Sequence, residues 1–196
     1  MKRLIFLTII LSGCSVKYQG LIVDKYLVVG EVIADSGFAR VEIHRKYSHD
    51  PVVARVTVNN RLLSPGGPGL YQGVVSGSPY SLVIETYDER VDISVDSPGI
   101  PAVSGEFFGD TLHVIWSSSN NASYYRIILE GGSLLDTVLT DTSIEVQTTL
   151  DTINYLLLIF SGPGFEDGNI LPNLTNEMWE VYFKVVRSVK GSLRRS

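Results

Sequence analysis

The sequence predicts an all-β fold made of two small β-sandwich modules that follow a cleaved signal peptide. Two observations predict the strands: apolar and polar residues alternate with a period of two along most of the chain, and clusters of Gly, Pro, Asn, Asp and Ser separate the alternating runs. Successive side chains of a strand point to opposite faces, so each run describes a strand with one buried side. Hydrophobic residues make up 44% of the chain and charged residues 19%, which is enough to fill packed cores.

The first module is predicted from four short runs, of which the first is more continuously apolar than the others. The runs cover residues 26–33, 52–58, 80–85 and 91–95. Turn-forming residues stand at 35–37, 59–60, 64–69 and 76–79. Two prolines and a glycine within residues 96–101 then break the pattern and indicate a linker. We therefore expect a first module at 14–97, a linker at 98–105, a second module at 106–190 and a basic tail at 191–196.

The second module carries the clearer family resemblance. Residues 112–116, ending in Trp116, and 123–129, containing Tyr125, resemble the second and third strands of a fibronectin type III domain. Residues 142–146 and 155–161 resemble its fifth and sixth strands. The resemblance implies a core of Trp116, Tyr125, Leu150 and Tyr155, with Tyr155 as a corner tyrosine whose hydroxyl bonds to the backbone upstream. Residues 179–185 alternate as a final strand.

The first module is similar to the immunoglobulin-like or carboxypeptidase-regulatory-like modules of bacterial surface lipoproteins. The similar segments are residues 26–31, 69–73 and 78–84. Such patterns follow in part from hairpin chemistry, because Gly and Pro supply the dihedral angles that turns require.

The N-terminus has the layout of a signal peptide at residues 1–13. Lys2 and Arg3 precede an apolar run at 4–11, which is too short to cross a bilayer, since a spanning helix needs about 20 residues. The tetrapeptide Leu11, Ser12, Gly13 and Cys14 resembles the lipobox of bacterial lipoproteins, and Cys14 is the only cysteine in the sequence. The resemblance implies cleavage before Cys14 and covalent diacylglycerol and acyl chains, such as palmitate, on that residue. The alternative is a plain secretory signal followed by a free thiol.

The expected location is the bacterial cell envelope, held on a membrane by the lipid. In such lipoproteins an aspartate after the cysteine marks inner-membrane retention, and Ser15 stands there instead, so the outer membrane is favoured over the inner membrane. Loss of residues 1–13 removes two basic residues and no acidic one, which moves the formal charge from −5 to −7. An acidic body argues against a nucleic-acid partner, which requires basic patches.

One long polar stretch, at about 162–177, is the candidate binding loop. Long loops are often functional, and carboxylate and amide oxygens are the ligands that calcium prefers. The candidate residues are Phe165, Glu166, Asp167, Asn169 and Asn173. Their spacing matches no known calcium loop, so a merely flexible loop remains the alternative.

We expect no enzyme, no metal site and no cofactor other than the lipid. His44, His49 and His113 lack the partner spacing of a metal or nucleophile site. The leading hypothesis is a non-catalytic binding, adhesion or assembly module whose loops or strand edges engage an envelope protein or polysaccharide. A small carbohydrate-processing hydrolase or accessory protein, with converging carboxylates such as Asp92 with Asp96 or Glu85 with Asp88, is the alternative. A structural spacer is the third possibility.

Overall fold

The computed structural model describes residues 24–131, 133–166 and 168–195, and throughout these ranges the chain is all-β. The predicted signal peptide and lipobox, and Asp167 of the candidate loop, lie outside the described residues. The strands are β1 (Tyr26–Ile33), β2 (Phe38–Arg45), β3 (Arg55–Val58), β4 (Arg61–Leu62), β5 (Ser64–Gly67), β6 (Leu70–Val74), β7 (Tyr80–Glu85), β8 (Arg90–Val95), β9 (Val103–Phe108), β10 (Thr111–Trp116), β11 (Tyr124–Gly131), β12 (Ser133–Leu139), β13 (Ser143–Gln147), β14 (Thr152–Ser161), β15 (Gly164–Glu166), β16 (Asn169–Leu171), β17 (Leu174–Thr175) and β18 (Trp179–Arg194).

The first sandwich packs the sheet β4-β3-β7-β8 against β6, β2, β1 and the first half of β18. The alternation seen in the sequence is the reason, because every second residue of these strands faces the space between the sheets. Val28, Val41, Val56, Ile84 and Phe183 are each 0% exposed and belong to one apolar cluster. Burial of this cluster is the main stabilising contribution to the first sandwich.

The second sandwich packs the sheet β13-β10-β9 against β12, β11, β14 and the second half of β18. Its apolar cluster is built around Trp116, whose ring meets that of Tyr125 edge to face at a centroid distance of 5.6 Å. Leu112, Ile127 and Leu157 are buried in the same cluster. The two cores therefore lie along one large sheet.

Strand β18 is 16 residues long and belongs to both sandwiches. Residues 179–186 pair in parallel with β1, and residues 185–194 pair antiparallel with β14. A strand of this length spans about 50 Å. Phe183 contributes to the first core and Leu193 to the second, so a single strand carries core residues of both modules.

The pairing of β18 differs from the division of the chain expected from the sequence. That division assigns all residues after 105 to the second module and its tail, whereas Trp179, Val181 and Phe183 pack in the first core. The expected tail also differs, because residues 191–194 are the end of β18 and pair with β14. Leu193, which is 8% exposed, anchors this end in the second core. The linker boundaries at 98–105 stay a prediction.

The four residues expected in the second core have different surroundings. Trp116 and Tyr125 are buried. Leu150 is 37% exposed, because it lies in the turn before β14, outside the alternation of the strands. Tyr155 is half-buried opposite Gly191, where a Cβ atom would lie 2.7 Å from the tyrosine oxygen, so glycine leaves room for the ring. Among the described residues, the Tyr155 hydroxyl makes no hydrogen bond of the corner type.

Replacing Phe183 is expected to destabilise the protein strongly. The ring is fully buried and lies against Gly30 of β1, at the pairing of β18 with β1. Phe183→Ala should lower the free energy of unfolding by about 3–5 kcal/mol, the usual cost of such a cavity. Urea unfolding measures it. Phe108→Ala is the matched control, since Phe108 is 62% exposed in the β9–β10 hairpin, and an equal loss there would contradict the account.

Candidate binding face

The face of the large sheet that points away from both cores carries a row of apolar side chains, which we call the cross-strand row. Register partners on neighbouring strands share a face of the sheet. The row runs over six strands, from β11 to β6, through Tyr124, Phe160, Val186, Ile33, Phe38 and Val74. Because β18 pairs with both β1 and β14, the row crosses from one module to the other without interruption.

One end of the cross-strand row is covered and the other is open. Tyr124 stacks on Phe160 at a centroid distance of 4.6 Å. The ring centroid of Phe165, in the β15–β16 hairpin, lies 5.4 Å from that of Tyr124. Burial, with a smaller effect from the nearby Glu31 carboxylate, raises the pKa of Tyr124 to about 12. At the open end Ile33 is 38% and Val74 55% exposed. The apolar surface available to a partner therefore lies at the end of the row in the first module.

A charged row lies beside the cross-strand row. Lys184, Glu31 and Arg40 are register partners on β18, β1 and β2. The Lys184 Nζ atom lies 3.4 Å from a Glu31 carboxylate oxygen and 5.4 Å from the centroid of Phe160, and Arg40 pairs with Glu42. Opposite charges thus alternate, and the described side chains give this face no strong net charge of either sign.

Three open depressions follow one another across this face. The first, of about 270 Å³, is lined by Val29, Glu31 and Lys184 among others, and the second, of about 400 Å³, shares Glu31 and Lys184 with it. The third, of about 390 Å³, shares Leu156 with the second. Together they form a continuous track over the junction of the two modules, with half-buried aliphatic side chains in its floor and paired charges beside it.

The loop singled out in the sequence forms structure rather than an open lip. Phe165 packs on the covered end of the cross-strand row. The Asn173 backbone N–H donates to Val181 O at 2.8 Å, and its side-chain oxygen accepts from the Phe183 N–H at 2.5 Å. Both residues therefore hold the loop against the sheet, while Glu166 and Asn169 lie exposed in the β15–β16 hairpin. That the loop binds a ligand stays a prediction.

A second set of polar contacts lies where β1 begins, at the end of the first sandwich that we call the N-terminal pole. Its members are Asp24, Lys25, the turn at 46–50 and the turn at 86–89. The Tyr26 hydroxyl donates to Asp88 at 2.6 Å and accepts from Arg45 at 3.0 Å, and the Arg45 guanidinium lies 3.9 Å from the centroid of the Tyr26 ring. The hydrogen bond from Tyr26, followed by that from Thr86, lowers the pKa of the Asp88 carboxyl.

A polar cleft of about 420 Å³ separates the end of β8 from the end of β14. Asp96, Asn121, Ser123, Ser161 and Asn173 contribute to its lining. Asp96 is the one carboxylate among the described lining residues, whereas glycoside hydrolysis requires a pair. The cleft offers hydrogen-bonding groups without the pair of acids.

Within the described ranges, no group of three or more His, Cys, Asp or Glu side chains is placed to hold a metal ion. The described chain also contains no helix of the length and hydropathy needed to span a bilayer.

The cross-strand row was missed by reasoning from the sequence. Its members come from segments up to 153 positions apart, such as Ile33 and Val186, and their meeting depends on strand pairing that alternation does not specify. One signal was present: the run at 26–33 is apolar except for Gly30 and Glu31, and such a run is typical of a strand with apolar contacts on both faces.

No protein-family model matches the chain, and no curated protein sequence matches it significantly. The chain is similar in structure to a two-domain fibronectin type III segment of chicken tenascin, at 12% identity and a TM-score of 0.33, covering 81% of this chain and 93% of that one. It is similar to a DUF3823 family protein from Bacteroides ovatus, at 10% identity and a TM-score of 0.28, covering 88% and 100%. It is also similar to the CD2-binding domain of CD58, at 10% identity and a TM-score of 0.28, covering 84% and 94%.

Asp88→Asn is expected to destabilise the protein near neutral pH and to lose this effect in acid. The folded chain favours the ionised carboxyl, so its contribution is complete above the ordinary pKa of 3.8 and is lost as pH falls through the lowered pKa. Urea unfolding of the natural protein and the variant, at pH values from about 7 down to about 2, measures how the difference between their unfolding free energies shrinks.

Tyr26→Phe provides the control for this titration, because it removes the main cause of the lowered Asp88 pKa. In that background the Asp88→Asn substitution should cost less stability at neutral pH. If the difference in unfolding free energy stays constant with pH, or if Tyr26→Phe leaves it unchanged, the hydrogen bond from Tyr26 is not what stabilises the ionised Asp88.

Proposed function

We propose that the protein is a lipid-anchored, non-catalytic module of the bacterial cell envelope that binds another envelope molecule through the face bearing the cross-strand row. The observation that carries the proposal is the row itself, which crosses both modules and is open at Ile33 and Val74. Apolar side chains that lie together in solvent are typical of interaction surfaces.

The anchor is proposed from the lipobox-like tetrapeptide ending at Cys14. Each buried methylene of an acyl chain contributes about 0.8 kcal/mol, and two or more chains make attachment stable where one is marginal. The outer membrane is proposed rather than the inner membrane, because Ser15 stands where a retained lipoprotein carries aspartate.

A non-catalytic role is supported by the surroundings of one of the two proposed acid pairs, Glu85 and Asp88. The Arg55 guanidinium, with Arg90 nearby, lowers the pKa of the Glu85 carboxyl, and the Tyr26 and Thr86 hydroxyls lower that of Asp88. A general acid of a glycosidase needs a raised pKa, whereas the pKa of each of these two carboxyls is lowered. Their hydrogen bonds instead join β7 to β3 and β8, and the turn between β7 and β8 to β1.

A protein suits the face better than a polysaccharide does. The second depression is lined by Leu156, Leu158 and Val186, and its aromatic residue, Phe160, is only 7% exposed. Sugar rings, in contrast, generally stack on exposed aromatic faces. Strand β12 adds a second feature, because among the described strands it lies at the edge of the large sheet and pairs with β11 alone. An edge of this kind can accept a strand from a partner protein.

Cys14→Ser is expected to abolish the anchor. The natural protein should begin at a cysteine carrying acyl chains, as intact-mass spectrometry reports, and should partition into the detergent phase of a Triton X-114 separation. The variant should keep its N-terminal segment and carry no acyl chains, as its intact mass shows. An unacylated natural protein, or a Cys14→Ser variant that still carries acyl chains, would contradict the anchor.

A photo-crosslinking amino acid at Val74 is expected to give a discrete adduct with a protein in intact cells, because Val74 is 55% exposed at the open end of the row. Ile33→Glu in the same chain should lower the yield roughly tenfold, which corresponds to about 1.4 kcal/mol of binding. The crosslinker at Phe108 is the control and should give no such adduct. No adduct at Val74, or the same adduct at Phe108, would favour the spacer interpretation.

A further inference from the structure

We propose that the N-terminal pole rests on the headgroup region of the bilayer, with Tyr47 and Tyr87 as the contacting side chains, so that the second module points away from the membrane. This inference rests on the proposed lipid anchor and adds to it an orientation and a lipid-contacting surface.

The strand pairing places the second module at the opposite end from the pole. Trp179 at the start of β18 pairs with Tyr26 at the start of β1, and the two strands run parallel. Residues 185–194 then continue away from the pole and pair with β14 of the second sandwich. Beyond them, Arg195 donates to Gly109 O at 2.7 Å, so the β9–β10 hairpin with Phe108 marks the far end.

The chain length keeps the pole near the anchor. Nine residues, 15–23, stand between Cys14 and Asp24. Ten Cα–Cα steps reach at most about 35 Å, less than the length of β18. A lipid on Cys14 therefore tethers the pole, and no other part of the described body is closer along the chain.

Two tyrosines project from this pole on turns with ordered backbones. Tyr47 is 56% and Tyr87 105% exposed. The Tyr47 N–H donates to Asp24 Oδ1 at 2.8 Å, and in the other turn the Thr86 N–H donates to Glu89 O at 2.8 Å. Packing of the fold does not account for such exposure, whereas the apolar body and polar tip of tyrosine suit the membrane–water interface.

The charged residues of the pole do not account for the proposed membrane contact, so the contact depends on the aromatic rings. Lys46 pairs with Glu180, and Arg55 and Arg90 flank Glu85, each at 2.9 Å. Among the described residues, Lys25 and Arg45 form no ion pair of this kind, but Arg45 lies near the carboxylates of Asp24 and Asp88, and Lys25 near that of Glu180. The cations of the pole are thus accompanied by carboxylates. The contact should therefore form on a zwitterionic bilayer and should not require anionic lipid.

The test uses the mature lipidated protein in phosphatidylcholine vesicles whose acyl chains carry bromine near the headgroup. Trp116 and Trp179 are each 2% exposed, and because Trp179 lies at the pole, their combined signal in each kind of vesicle is measured on the unsubstituted protein and subtracted. The added fluorescence of Tyr87→Trp, and separately of Tyr47→Trp, should fall roughly twofold or more relative to unbrominated vesicles, because a ring at the interface lies within reach of the quencher. Phe108→Trp, at the far end, should not be quenched.

The outcomes separate the inference from the proposed function. Protein that floats with the vesicles but shows no quenching at either tyrosine position overturns the docking and leaves the anchor intact. Equal quenching of Phe108→Trp overturns the orientation. Protein that does not float with the vesicles overturns the anchor itself.

Discussion

Pairing of one strand with two neighbours in different sandwiches is the interaction on which the rest of the structure depends. β18 pairs with β1 in the first sandwich and with β14 in the second, and so joins the two parts of the large sheet. Without its first half, the first core would lose Trp179, Val181, Phe183 and Val185. The two modules therefore share a strand, and hydrogen bonding within one sheet fixes their relative position.

The same pairing creates the surface on which the functional proposals are built. Two separate sandwiches would each present a short outer face, whereas the shared strand aligns Phe160, Val186 and Ile33 in one row. The shared strand also fixes the ends of the molecule, with Tyr87 at the end that the proposed anchor would tether and Phe108 at the other. The proposed anchor and orientation would present the row at a defined angle to the membrane, which would suit assembly with a neighbour in the envelope.

The fold class was predictable because alternation is a local property that survives whatever the pairing. Register and pairing partners were not, since they depend on contacts between distant segments. This explains why the strand at 179–185 was expected but its place beside β1 was not. The family resemblance puts Leu150 in the second core, whereas Leu150 is 37% exposed in the turn before β14, where strand alternation does not apply. Of the candidate loop, Phe165 and Asn173 proved to bind the protein's own sheet, as apolar and amide side chains in loops often do.

The most direct test of the shared strand is the set of nuclear Overhauser contacts of Val186, measured on the methyl-labelled protein. Val186 is the register partner of Ile33 on one side and of Phe160 on the other. The account predicts cross-peaks from the Val186 methyl groups to both side chains in the same folded species. Contacts to only one of the two would show that β18 belongs to a single sandwich and would contradict the continuous sheet.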